Sequence, residues 1–334
     1  MKKFNLKKRQ KANNLLLTLS VSFLFLLFIS QPAFSQRRVY NECKAQNAVY
    51  QDKVEYTKKV SYTKDKRTGK KVKVVEQVKV VNHVKVDADK HGNAEGSQYD
   101  LAVDGAFEGE TVAVLHLYVG EGFDFSLPKA ALKQKGFSVY RWINNPPSAK
   151  ELEKQLKKAC QLWIISSNVQ KLNEGHLKVI KKFFDSGKGV YIWGDNDPFY
   201  ADANYVAKYL FGTEMTGNLP GNEVVGLNNQ KRQVGLAPGH LITTGLEHVY
   251  EGITIATINP TSSLKPLIYG HEKNLVAVTY EKDGKRAIID GGFTRLYIAW
   301  DNAGTGRYVK NAAAWLVNYE RFGEDVGQAQ GKGK

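Results

Sequence analysis

Between residues 111 and 211, a mostly apolar run gives way four times to a segment whose apolar residues recur every three or four positions. The runs are residues 112–119, 137–142, 162–165 and 190–193; the segments after them are 127–134, 149–159, 173–185 and 201–211. A strand with no polar alternation is one buried on both faces. Helical spacing of apolar groups leaves one stripe to bury and one face for water. Short links between the two forms predict a parallel sheet with helices on both faces. Runs at 252–258, 265–270, 275–280 and 286–290 add strands, with a hairpin turn at 281–285. Residues 306–320 predict a closing helix, and residues 212–239, rich in Gly and Asn, form a long irregular connection.

The chain before this pattern reads differently. Residues 1–12 carry Lys2, Lys3, Lys7, Lys8, Arg9 and Lys11 and no acid, and residues 15–29 are almost wholly apolar. Ala33 and Ser35 then supply the small residues of a cleavage site, so residues 1–35 predict a signal peptide and an exported, periplasmic or secreted, product. After cleavage no second apolar run reaches spanning length, so no stable membrane span is expected. Residues 36–110 form a β-rich N-terminal region, with Val and Tyr alternating against Lys between residues 53 and 90. The α/β domain then occupies residues 111–322, and residues 323–334 are a Gly- and Lys-rich tail expected to be disordered.

The net charge is +15, and the signal peptide carries six of the basic residues, leaving 42 basic against 33 acidic from Gln36 on. Twelve basic residues and five acids fall between residues 53 and 90. Their alternation with Val and Tyr fits the wet face of a sheet, and no RNA- or DNA-binding motif accompanies them, so no nucleic-acid partner is expected. Cys43 and Cys160 either pair, tying the N-terminal arm to the domain, or stay apart as a free Cys43 and a buried Cys160.

In an open α/β sheet, ligands bind at the carboxyl ends of the strands. The polar residues at those ends are Glu121, Ser166, Ser167, Asp195, Asn196, Asp197 and Asp290, with Asp301 in a further polar turn. Together they predict a crevice for a sugar or similar hydroxyl-rich ligand, with Trp193 or Trp300 as a stacking wall. A hard-cation site is the variant, since such oxygens suit Ca²⁺; otherwise no metal or cofactor is expected. The competing explanation is that Asn196 or Asp197, ahead of Pro198, caps a helix and Asp290 caps a turn. His116, on a buried strand, reads as a core residue.

From residue 111 to residue 319 the chain resembles the class I glutamine amidotransferase-like superfamily, and within it the ThuA-like branch. The resemblance rests on the strand order, on Gly187-Lys188-Gly189-Val190 before a strand and sharp turn, on Gly239-His240-Leu241-Ile242-Thr243-Thr244-Gly245-Leu246, and on the closing segment from Arg307 to Leu316. It implies a flavodoxin-like, mostly parallel sheet, and it places His240 near the crevice. The sequence departs from the family where amidotransferases carry the nucleophilic Cys. Here the turn is Gly194-Asp195-Asn196-Asp197-Pro198, and Ser166-Ser167 stand where the family has oxyanion-hole glycines. A glutamine amidotransferase is thereby excluded, and no catalytic residue is assigned. The expectation is an exported, non-catalytic binding or interaction protein with a carbohydrate or protein partner. The alternative is a ThuA-like carbohydrate-processing hydrolase using Asp195 and Asp197.

Overall fold

The computed structural model describes residues 38–41, 50–227, 234–300 and 302–321. The expected signal peptide, Cys43, Asp301 and the tail from residue 323 lie outside the described residues. Arg38–Lys334 clusters as one compact unit, with no division at residue 110.

Two strands, β1 (Tyr50–Lys64) and β2 (Lys71–Lys85), form an antiparallel ribbon that, among the described residues, joins no other sheet. At about 3.4 Å per residue it is roughly 50 Å long. The register sets Val54 against Val81, Tyr56 against Lys79, Val60 against Val75 and Tyr62 against Lys73. These share one face with Lys58, Lys64 and Lys71, and Tyr56 and Tyr62 are each 67% exposed. The opposite face mixes Glu55, Lys59 and Glu76 with Thr and Val. Solvated strands, as the alternation predicts, are what the ribbon consists of.

The core begins at β3 (Thr111–His116) and continues through β4 (Ser138–Ile143), β5 (Gln161–Ile165) and β6 (Gly189–Trp193). Outside the main sheet, β7 (Met215–Pro220) pairs with β11 (Thr254–Ile258), and β8 (Val224–Gly226) pairs with β10 (His248–Tyr250). The main sheet also takes β9 (Gly235–Leu236), β12 (Leu264–Tyr269), β13 (Leu275–Lys282) and β14 (Lys285–Asp290), in the order β4-β3-β5-β6-β14-β13-β12-β9. The first five strands are parallel and the last three antiparallel to their neighbours. The parallel part has the 2-1-3-4-5 order of doubly wound, flavodoxin-like sheets. The fold class read from the sequence is therefore the observed one.

Successive residues of a strand face opposite sides, and here each side has its own core. Leu162 and Ile164 of β5 and Val190 and Ile192 of β6 pack with α2 (Ala149–Leu156), α3 (Glu174–Asp185) and α4 (Ala201–Phe211). Trp163, Ile165, Tyr191 and Trp193 pack on the other side with α1 (Ser126–Gln134) and α5 (Thr305–Leu316). Gly189 lets the start of β6 lie against α5, because a Cβ there would sit 2.4 Å from the Leu316 carbonyl oxygen. Cys160, just ahead of β5, is a buried free thiol, and burial pushes its pKa up.

Candidate functional site

The parallel strands β3, β5, β6 and β14 end on one edge, and the turns beyond them hold most of the polar residues the sequence singles out. Several prove to be committed to the fold. Ser166, fully buried, accepts hydrogen bonds at Oγ from the Asp202 and Ala203 backbone N–H groups, at 3.0 and 3.1 Å. It thus caps α4 from outside the helix. The Asp202 carboxylate answers by accepting from the Lys171 and Leu172 N–H groups, both at 2.8 Å. Ser167 is buried and donates to Asn168 Oδ1 at 3.2 Å.

The helix read at residues 201–211 is observed at Ala201–Phe211, and the competing start at Pro198, capped by Asn196 or Asp197, is not. Residues 195–200 form a turn with a cis Asp197-Pro198 bond, closed by Phe199 N–H to the Asn196 carbonyl at 2.7 Å. Neither Asn196 nor Asp197 caps α4. Asp197 accepts from the Tyr200 hydroxyl at 3.0 Å, and Asn196 Oδ1 accepts from the Thr254 hydroxyl at 2.8 Å.

Asp195 is fully buried. Its Oδ2 accepts from Thr294 N–H at 3.0 Å; its Oδ1 accepts from Asn196 N–H at 2.8 Å and from the Thr254 hydroxyl at 3.3 Å. Burial pushes its pKa up to about 7, although those donors pull it down. The desolvation of the carboxylate outweighs its three hydrogen bonds. Asp290 has a cation beside it, yet burial pushes its pKa up as well. Arg295, fully buried, forks onto it at 2.9 and 3.3 Å, and the Tyr308 and Tyr191 hydroxyls donate at 2.8 and 3.3 Å. With Gly292 N–H on Oδ1, every lone pair of Asp290 is engaged inside the protein.

Glu121 is different. It is exposed, in the left-handed backbone region at φ 53°, and it accepts from the Tyr297 hydroxyl at 3.1 Å. Tyr297 stacks on Phe123 with ring centroids 4.3 Å apart, and Tyr118 adds its ring beside Phe199 and Phe293, at 5.4 and 5.0 Å. Glu121, Phe123, Asp124, Ser126, Leu127 and Tyr297 border a cavity of about 290 Å³. This aromatic and acidic cleft was missed in the sequence except for Glu121. Tyr297 directly follows a short 3₁₀ turn, Phe293–Leu296, after β14, and no periodicity points to it.

The stacking walls proposed from sequence are corrected. Trp193 is fully buried, lying on Tyr191 at 4.1 Å between ring centroids, and presents no surface to a ligand. Trp300 borders a separate cavity beside α5. His240 is also displaced from its expected place. It packs on Trp315, at 5.2 Å, with Glu281, Arg286 and Lys265 as charged neighbours, at the edge where β13 ends and β14 starts. That is the edge opposite Asp195. Its Nδ1 accepts from Ile242 N–H at 3.1 Å, and burial lowers its pKa to about 4, so it structures its loop as a neutral ring. His116 is a buried core residue as read, its pKa lowered to about 4 by burial and by Arg141.

The carboxylates of Asp195 and Asp197 turn to different partners rather than toward one point. Among the described residues, no group of three or more His, Cys, Asp or Glu side chains is placed to hold a metal ion. Nor, among them, is any helix long and apolar enough to cross a membrane.

No protein-family model matches the chain, and no curated protein does. Solved structures give distant likenesses. An exo-β-1,4-mannosidase from Opitutaceae bacterium strain TAV5 aligns at 11% identity and TM-score 0.33, over 67% of this chain and 35% of its own. A ThuA-like protein from Parabacteroides merdae aligns at 10% identity and TM-score 0.41, over 63% and 90%. The glutaminase domain of Trypanosoma brucei CTPS aligns at 10% identity and TM-score 0.35, over 61% and 93%. This chain thus spans about a third of the mannosidase. Likenesses this distant carry no functional argument, and the fold stands on its own strand order.

Proposed function

We propose that the protein is an exported, non-catalytic binding protein on an amidotransferase-like frame that has lost its nucleophile, and that it takes a carbohydrate-like ligand in the cleft at Glu121, Phe123 and Tyr297. One observation carries this reading: the polar groups at the ends of β5, β6 and β14 are engaged within the fold, whereas the cleft beyond β3 presents an open carboxylate beside stacked rings. Sugars offer hydroxyl donors to a carboxylate and a C–H face to an aromatic ring, and a pocket with a few placed polar groups among aromatics suits them. Export is supported by the basic and then apolar N terminus. Titration calorimetry with a panel of mono- and oligosaccharides tests the reading. Binding that falls about tenfold or more in Glu121→Ala supports it. Binding untouched by Glu121→Ala and by Tyr297→Ala, or no binding to any member, would sink it.

A hydrolase remains the second reading because of one feature. Asp195, with a pKa of about 7, is half protonated at neutral pH, the state a general acid needs. Its complete burial and the lack of an opposed free carboxylate weigh against that role. Glycoside turnover abolished by Asp195→Asn would establish it.

A further inference from the structure

A second cavity, of about 280 Å³, lies between the loop after the ribbon and the start of α5. Asp89, Lys90 and Asn93 border it on one side, Trp300, Gly306 and Lys310 on the other. We infer that it binds the oxyanion group, phosphate or carboxylate, of a small molecule.

Three independent features converge. The first is the helix. α5 has twelve residues, starts after Gly304 in the left-handed region at φ 58°, has no side-chain cap and carries no acid in its first turn. The free N–H groups and dipole of such an end attract an anion. The Trp300 ring lies over Gly306, where an added Cβ would make an ordinary contact at 3.4 Å.

The second is Asn93, which is 1% exposed. Its Oδ1 accepts from the Glu247 and His248 N–H groups, both at 2.8 Å, so its orientation is fixed. Its Nδ2 is left with no partner in the described protein, and it borders the cavity. A buried amide N–H without an acceptor costs about 1–3 kcal/mol, and a ligand oxygen would remove that cost. His91 Nε2, buried too, has no partner either.

The third is the charge balance. Asp100 and Asp104 sit behind the cavity against Lys135, Arg307 and Lys310, three cations to two carboxylates. Lys90 adds a further cation at the exposed rim. Among the described residues Asp89 is the one acid on the wall, and its Oδ1 is occupied by the His91 and Asn93 N–H groups, each at 2.9 Å. Trp300 supplies a flat wall for the rest of the ligand.

The test uses the full chain and calorimetric titration at fixed ionic strength. The probes are inorganic phosphate, glucose 6-phosphate, glucuronate and, as the neutral control, glucose. Saturable binding of a phosphate or of glucuronate in the Glu121→Ala background, where glucose does not bind, is the expected result, and whichever binds tighter names the anion. Lys90→Glu and Asn93→Asp should each weaken it about tenfold or more. Both variants suit the fold: Lys90 is exposed, and Asp at position 93 keeps the oxygen that Glu247 and His248 need. Glu121→Ala should leave this binding unchanged, which separates the site from the cleft beyond β3. No anion binding, or binding that survives in both variants, would overturn the inference.

Discussion

Asp195 shows how far one buried group can set the acid–base behaviour of a fold. In the unfolded chain its carboxyl titrates near 3.8; in the fold, burial moves it to about 7. The protonated form is the one the fold favours. Its contribution is therefore fully present below pH 4 and is lost as pH rises through 7. His116 and His240 act in the opposite sense: with folded values of about 4, their neutral rings are favoured, and stability falls as pH drops below 6.5. Comparing wild type with Asp195→Asn cancels the histidines. Moving a carboxyl from 3.8 to about 7 corresponds to on the order of 4 kcal/mol. The stability of wild type relative to the variant should therefore fall by an amount of that order between pH 4 and pH 8. Urea midpoints across this range check it, and parallel profiles would refute it. Lys135 makes a second case. Its ammonium is fully buried against Asp100 at 2.8 Å, Asp104 at 2.6 Å and the Ala102 carbonyl at 2.9 Å. Lys135→Met removes one partner from a buried network, a change that costs about 3–5 kcal/mol, and a fall in thermal midpoint of that weight is expected.

Elements with a strong period were legible in the sequence. The strands β3, β5 and β6 carry apolar runs without alternation, at 112–115, 162–165 and 190–193, because both faces are covered, and α2, α3 and α5 carry their buried residues at helical spacing. The bounds of α4 were legible, but its cap was not, because that cap is Ser166, thirty-six positions before Asp202 in the chain. Asp197-Pro198 carries the local signal of a helix start, yet the sheet supplies the cap instead. Ser166→Ala should therefore destabilise by about 1–2 kcal/mol, more than Asp197→Ala, whose carboxylate meets only the Tyr200 hydroxyl. Denaturant midpoints of the two variants decide it; a larger loss for Asp197→Ala would show that the sequence signal was the right one. The ribbon is the converse case. Most of β1 and β2 is exposed, and among the described residues the two strands pair only with each other. Replacing residues 55–80 by a short Asn-Gly turn should shift the stability of the rest by no more than about 0.5 kcal/mol.

At the scale of the whole molecule, the expected boundary near residue 110 is crossed by buried contacts. Composition changes near residue 110, which is why the sequence suggests a boundary there, but the charges that join the two sides are far apart in sequence and invisible to it. Asp100 meets Lys135, Arg307 and Lys310 within 2.8 Å. Leu101 N–H donates to Asn311 Oδ1 at 2.7 Å, and Arg307 reaches the Gly96 carbonyl at 2.9 Å. Asn311, fully buried in α5, spends its amide on the Ile242 and Thr244 carbonyls, so one helix side chain holds both segments. The candidate crevice was read in the same partial way: the strand ends were visible, but the partners that occupy Ser166, Asp195 and Asp290 come from distant turns. Residues 86–105 are thus a part of the α/β domain, and removing them is a different act from removing the ribbon. A chain beginning at Ala106 keeps every strand and helix of the main sheet, yet it leaves Lys135 buried with neither carboxylate. The loss of several kcal/mol per unpaired buried charge is comparable with the about 5–15 kcal/mol of a whole domain. Calorimetry should find no cooperative unfolding transition in that chain, while the ribbon-shortened chain melts as the full protein does. A cooperative transition from the chain beginning at Ala106 would restore the boundary at residue 110, and with it the view that the N-terminal region is an appendage.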